Sequence, residues 1–166
     1  MDYTHLHLIL NHFPIIGTLM GSLFLLYGIL RKNDSLQKIS LAAIITMAII
    51  AIPVFLTGEP AEESVENISG ISETVIEPHE EAAELAFWVM EITAVIALAS
   101  LVFSKLNRKM AQIVTIITLI ASFASFGLMA RTGYLGGKIR HTELNGNLPI
   151  SPSGKEKGTT EGDNDD

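Results

Sequence analysis

The chain contains no cysteine. That excludes disulfides, thiolate zinc sites, iron–sulfur clusters and covalent c-type haem attachment, and it removes cysteine usage as a guide to redox compartment. Charge is scarce too, at 17% Asp, Glu, Lys and Arg, and it is missing almost entirely from four long stretches. There is no nucleophile elbow, phosphate-binding glycine loop, dinucleotide fingerprint or HExxH, so an ordinary hydrolase or kinase is not expected. The N-terminus has no basic segment ahead of its first apolar run, so the first span is expected to direct insertion itself. With a formal net charge of −7, no nucleic-acid partner is expected either.

What is present is apolar and comes in blocks. Phe13–Leu30, Ser40–Thr57, Leu85–Phe103 and Ala111–Ala130 are each 18 to 20 residues long. A helix needs about 20 such residues to cross the hydrocarbon core. Helices apolar on every side belong in lipid, where they satisfy their own backbone groups. The expected fold class is therefore all-α: an integral membrane four-helix bundle over residues 1–144. An acidic outer loop is expected at 58–78, and a polar, disordered tail at 145–166.

Lys and Arg fix the expected orientation. Arg31, Lys32 and Lys38 follow span one; Lys105, Arg108 and Lys109 follow span three. The connection Gly58–Ala83 holds eight glutamates and no Lys or Arg. Both short connections are thus expected in the cytoplasm and both termini outside, an N-out/C-out arrangement. For a bacterium this is the inner membrane with a periplasmic outer face.

Within the spans, Gly17-x3-Gly21 allows close helix contact and is read as packing rather than as a dimer signal. Thr57-Gly58 reads as the stop of span two. Pro78 reads as the first helical residue of span three, with Glu80 and Glu81 in the first turn. Met90 and Met129 read as packing. Glu91 is the one carboxylate inside a span. Such groups are costly in lipid and functional by default; a hydrogen bond to Thr93 or a span-four serine is the structural alternative to a proton relay.

All five histidines fall outside the spans on the same expected face: His5, His7, His12, His79 and His141. Taken singly, each reads as an interfacial imidazole. As a set they read as a ligand site. His5 and His12 share a helix face but stand about 10 Å apart along it. His7 and His12, five apart, point about 140° from each other. No pair has i,i+4 spacing, so any ligands must pair across segments, as for b-type haem held between imidazoles of a helix bundle. Copper or zinc is the alternative. Arg131, Lys138 and Arg140 stand where two propionates would be neutralised, or are ordinary flanking charge.

The motifs His7-x4-His12-Phe13-Pro14-Ile15, Thr57-Gly58-Glu59-Pro60-Ala61-Glu62-Glu63, Ile76-Glu77-Pro78-His79-Glu80-Glu81-Ala82-Ala83 and Gly136-Gly137-x3-His141 occur in that order. Over about residues 5 to 143 the chain resembles a bacterial family of four-span membrane domains of unknown function. Leu8 stands where many members resemble one another in a proline, and the last motif is compressed around His141. The resemblance implies a respiratory or electron-transfer setting, because similar modules occur fused to Rieske-type or c-type cytochrome domains. It matches His7, His12, His79 and His141 as cofactor or metal ligands. The expected function is haem b binding and electron transfer with a periplasmic cytochrome or other redox partner. Histidine-based copper or zinc binding and a cofactor-free structural subunit are the alternatives. Self-association into an oligomer stays open.

Overall fold

The computed structural model of the chain describes residues 3–61 and 73–140. Those residues form α1 (Tyr3–Leu10), α2 (His12–Leu30), α3 (Asp34–Leu56), α4 (Glu73–Leu106) and α5 (Arg108–Arg140). Residues 58–61 add one further helical turn, and no strand occurs among the described residues. Four helices are long and apolar enough to cross a membrane. They pack in a closed ring, α2 on α3, α3 on α4, α4 on α5 and α5 on α2, with α1 laid against α2 and α3.

The interior is narrow because its residues are small. Leu25, Ile44, Ala48, Ala86, Met90, Ala97 and Met129 belong to one core cluster. Hydroxyl side chains fill the remainder, and each meets its polar demand inside the bundle. Ser22 Oγ donates to the Thr18 carbonyl at 2.7 Å and to Ser122 Oγ at 2.8 Å. Thr93 pairs with Ser125 across α4 and α5 at 2.9 Å, and Ser100 with Thr115 at 2.6 Å. Large apolar side chains point outward instead: Ile16, Ile49, Val95 and Ile120 are each more than half exposed. A polar-lined interior with an apolar exterior suits lipid as the surrounding solvent.

The Gly17-x3-Gly21 pair is spent inside the chain. A Cβ on Gly17 would overlap the Met47 thioether, and one on Gly21 would come within 3.0 Å of Ile44 Cγ1. Gly28 continues that close seam: a Cβ there would stand 3.1 Å from both Cγ and the backbone nitrogen of Gln37. Gly28→Ala is therefore expected to wedge α2 from α3 and cost about 1–3 kcal/mol of overpacking, read as a lowered melting midpoint in detergent.

At one end of the bundle the two short turns use the same device. Asn33 Oδ1 accepts from Leu36 N at 3.0 Å, and Asn107 Oδ1 accepts from Lys109 N and Met110 N, both at 3.1 Å. These are N-caps of α3 and α5. The α2 terminus closes with Lys32 N donating to the Ile29 carbonyl and Asn33 N to the Gly28 carbonyl, a Schellman pattern. Lys32 takes the left-handed position, φ 50°, which usually falls to glycine. This is the basic end. The start of α1, the end of α3, the start of α4 and the end of α5 lie at the opposite, histidine end.

The helices differ in extent from the sequence expectation. Helix α4 has 34 residues and α5 has 33. At 1.5 Å per residue each runs about 50 Å, well beyond a hydrocarbon core of about 30 Å. The surplus is at the histidine end. Pro78 is not the first helical residue but the sixth of α4, just past the four N–H groups that lack a helical acceptor, so it forgoes one i→i−4 bond. The stretch 58–78, expected as a loop, is helical at 58–61 and again from Glu73. The expected helical turn at 64–68, the tail at 145–166 and His141 lie outside the described residues.

Candidate functional site

Two of the histidines are anchored on a neighbouring helix at the histidine end. Helix α3 stops at Leu56 with Thr57 as its cap, so the last carbonyls of α3 lack helical partners. One of them, Val54 O, accepts from Nδ1–H of His7 at 3.0 Å. The Thr57 hydroxyl stands 3.4 Å from the same nitrogen while donating to Pro53 O at 2.8 Å. Gly58 borders the ring, with its Cβ position 3.7 Å from His7 Cε1. His7 thus ties α1 to the end of α3.

His79, in the second turn of α4, is held in the same manner from the other side. Its Nδ1–H donates to Thr132 O of α5 at 3.0 Å. The ring fits there because residue 136 is glycine. A Cβ at Gly136 would lie 3.0 Å from His79 Cε1 and 3.3 Å from Nδ1. The adjacent Gly137 has nothing within 4 Å of the same position. Only the first of the two glycines is a seat for the imidazole.

His7 on α1 and His79 on α4 both lie at the histidine end. Each ring is about half-buried, and each uses Nδ1 as the donor, because a carbonyl oxygen can only accept. That fixes the neutral tautomer: Nε2 carries the lone pair. Among the described residues, neither Nε2 makes a hydrogen bond. A backbone carbonyl bonded to one ring nitrogen, with the other nitrogen left bare, is how proteins orient an imidazole as a metal ligand. Below the pair, Phe55 and Phe87 stack at 4.4 Å, and Phe87 meets Trp88 edge-on at 5.4 Å.

The other sequence candidates are placed differently. His12 is exposed, and its Nδ1–H donates to Leu8 O one turn back at 3.1 Å, a local bond and not one to a neighbouring helix. His5 is exposed as well. Arg131 is exposed on α5, next to the Thr132 whose carbonyl holds His79. Lys138 Nζ lies over the Tyr134 ring, 4.9 Å from its centroid. The Arg140 side chain lies outside the described residues, as does His141. Among the described residues no three His, Asp or Glu side chains converge as a metal site.

Glu91 sits one turn below Phe87, and its Oε1 is buried without a hydrogen-bond partner among the described residues. Thr93, the partner weighed from sequence, is engaged with Val89 O and Ser125 instead. Met90 is fully buried and accepts from Thr18 Oγ1 at 3.7 Å, while Met129 is part of the core, so both methionines pack. The anchors Val54 and Thr132 were not visible from sequence, since both act through backbone oxygens. The Gly136-Gly137 pair was the one signal that marked this side of the site.

Comparison with curated proteins and with solved structures gives no match. Residues 4–143, which include both anchored histidines and all four spans, match the family model described as "Predicted membrane protein (DUF2231)", and the chain belongs to that family.

Proposed function

We propose that His7 and His79 would hold a b-type haem at the histidine end through their Nε2 nitrogens, and that the protein carries electrons. The observation that carries this reading is the pair of imidazoles from different helices, each anchored through Nδ1–H to a backbone carbonyl and each presenting a bare Nε2. The donor set fits the group. Haem takes two axial ligands from the protein, whereas a structural zinc takes four. Two imidazoles among the described residues are anchored on a neighbouring helix, His7 on α3 and His79 on α5. Haem, when bound, supplies one-electron chemistry; the chain's own part is to orient the rings through Val54 O and Thr132 O. Arg131 stands beside the site for a propionate, with Lys138 and Arg140 further along α5.

The excess of Lys and Arg at the basic end supports a cytoplasmic basic end and a periplasmic histidine end in a bacterial inner membrane. A cytochrome or other redox protein on that side would be the partner. Glu91 is assigned to proton movement coupled to the electron. Glu91→Gln is then expected to keep haem occupancy while flattening the pH dependence of the midpoint potential. An unchanged pH dependence would remove Glu91 from the account.

The test is an oxidised-versus-reduced absorption spectrum of protein purified in mild detergent from haem-replete cells. Sharp reduced-state bands are expected in the native chain and in His12→Ala. Copper bound by the same two nitrogens is the second reading, because Cu(I) accepts few, soft or imidazole ligands. It predicts stoichiometric copper by elemental analysis and no haem bands.

A further inference from the structure

The basic end holds a second site that the histidine pair does not use. The ends of α2, α3 and α5 diverge there around a cavity of about 310 Å³. Lys32, Asp34, Gln37, Arg108 and Gln112 are its polar lining and Ile29 and Ile116 its apolar lining, Ile29 packed against the core and Ile116 about half exposed. A smaller neighbouring cavity shares Asp34, Gln37, Arg108 and Gln112 and adds Lys38. Both lie where α3 and α5 face each other across the bundle, bridged by Arg108 and Asp34 at 3.6 Å.

The charge of this region is one-sided. Arg31, Lys32, Lys38, Lys105, Arg108 and Lys109 cluster in and around the two turns, with Asp34 as the one acid among residues 31–38 and 104–110. Among the described residues Lys32 makes no ion pair. The N-termini of α3 and α5 add positive partial charge at the same level. Asp34 opposes an anion, but its partner Arg108 and its own exposure reduce that opposition. Gln37 has one amide hydrogen on Gly28 O at 3.1 Å and keeps a second.

Ile116, about half exposed, continues the cavity wall down the outer surface of α5, beside Ile113, Ile117 and Ile120 on the same apolar exterior. A ligand matching these features has an anionic head at the membrane surface and an apolar body below it. Basic pockets between spans at a membrane face bind such headgroups.

We propose that this cavity binds the phosphate of an anionic phospholipid, held by Lys32 and Arg108, with its acyl chains along Ile29 and Ile116. The site depends on the membrane bundle and not on the haem reading. Purified full-length protein in neutral detergent is titrated with phosphatidylglycerol or phosphatidylcholine of matched chains, and bound lipid is counted by native mass spectrometry. Phosphatidylglycerol is expected to be retained in preference. Each of Lys32→Ala and Arg108→Gln lowers its retention about fivefold, and the two together about twenty-five-fold, at roughly one surface charge each. Asp34→Asn raises retention, and Lys138→Ala at the far end leaves it unchanged. The exposed Arg108–Asp34 pair contributes little to folding, so these variants remain folded. Equal retention of the two lipids, or an equal loss in Lys138→Ala, overturns the proposal. Displacement by soluble glycerol phosphate at matched concentration overturns the lipid as source in favour of a free phosphate ester.

Discussion

His79→Ala is expected to abolish the reduced-state haem bands while leaving the bundle folded. On the proposed reading the imidazole is one of two nitrogen donors, and the other described histidines, His5 and His12, are exposed. Loss of a supporting hydrogen-bond partner alone typically lowers metal affinity about 10–100-fold, so loss of the ligand itself should exceed that. The stability cost is small by comparison. The ring makes one hydrogen bond, to Thr132 O, which contributes about 0.5–1.5 kcal/mol. Haem per protein and the melting midpoint, measured on the same preparation, separate the two effects. A variant that keeps its full haem content excludes His79 as a ligand.

The second large effect concerns two neighbouring glycines that a sequence treats alike. Both Gly136 and Gly137 lie within α5, where alanine is favoured over glycine by about 0.5–1 kcal/mol. Gly137→Ala should therefore raise the melting midpoint and leave the site unchanged, since nothing lies within 4 Å of the added carbon. Gly136→Ala gains the same helix preference but pushes on His79 at 3.0 Å, and Gly136→Val pushes harder. The valine variant is expected to lose haem affinity about 10–100-fold by moving the ring off Thr132 O. Helix stability and cofactor binding thus move in opposite directions at position 136 and not at 137. Equal behaviour of the two positions would mean that Gly136 is not the seat of His79.

Much of the architecture was legible because it rests on composition. Four charge-poor blocks of membrane-spanning length gave the four helices. The Gly17–Gly21 pair packs on Met47 and Ile44 within the chain. The helix ends were less legible. Pro78 and Gly136-Gly137 are residues that usually stop helices, yet α4 begins before the one and α5 runs through the other, because each helix packs against its neighbour over its whole length. The anchoring of the imidazoles was illegible for a different reason: Val54 O and Thr132 O are backbone atoms, and any residue type presents the same oxygen. The N-caps Asn33 and Asn107 were open to reading from their positions just before α3 and α5, where a side-chain oxygen next to a basic turn is a helix-start signal.

The central claim is that His7 and His79 together hold one haem. Its most direct measurement is haem stoichiometry with oxidised and reduced spectra for three proteins purified in mild detergent: native, His12→Ala, and the double variant His7→Ala/His79→Ala. The account predicts one haem per chain with sharp reduced bands in the first two and none in the third. Haem retained by the double variant, or a native protein free of haem from haem-replete cells, would contradict it.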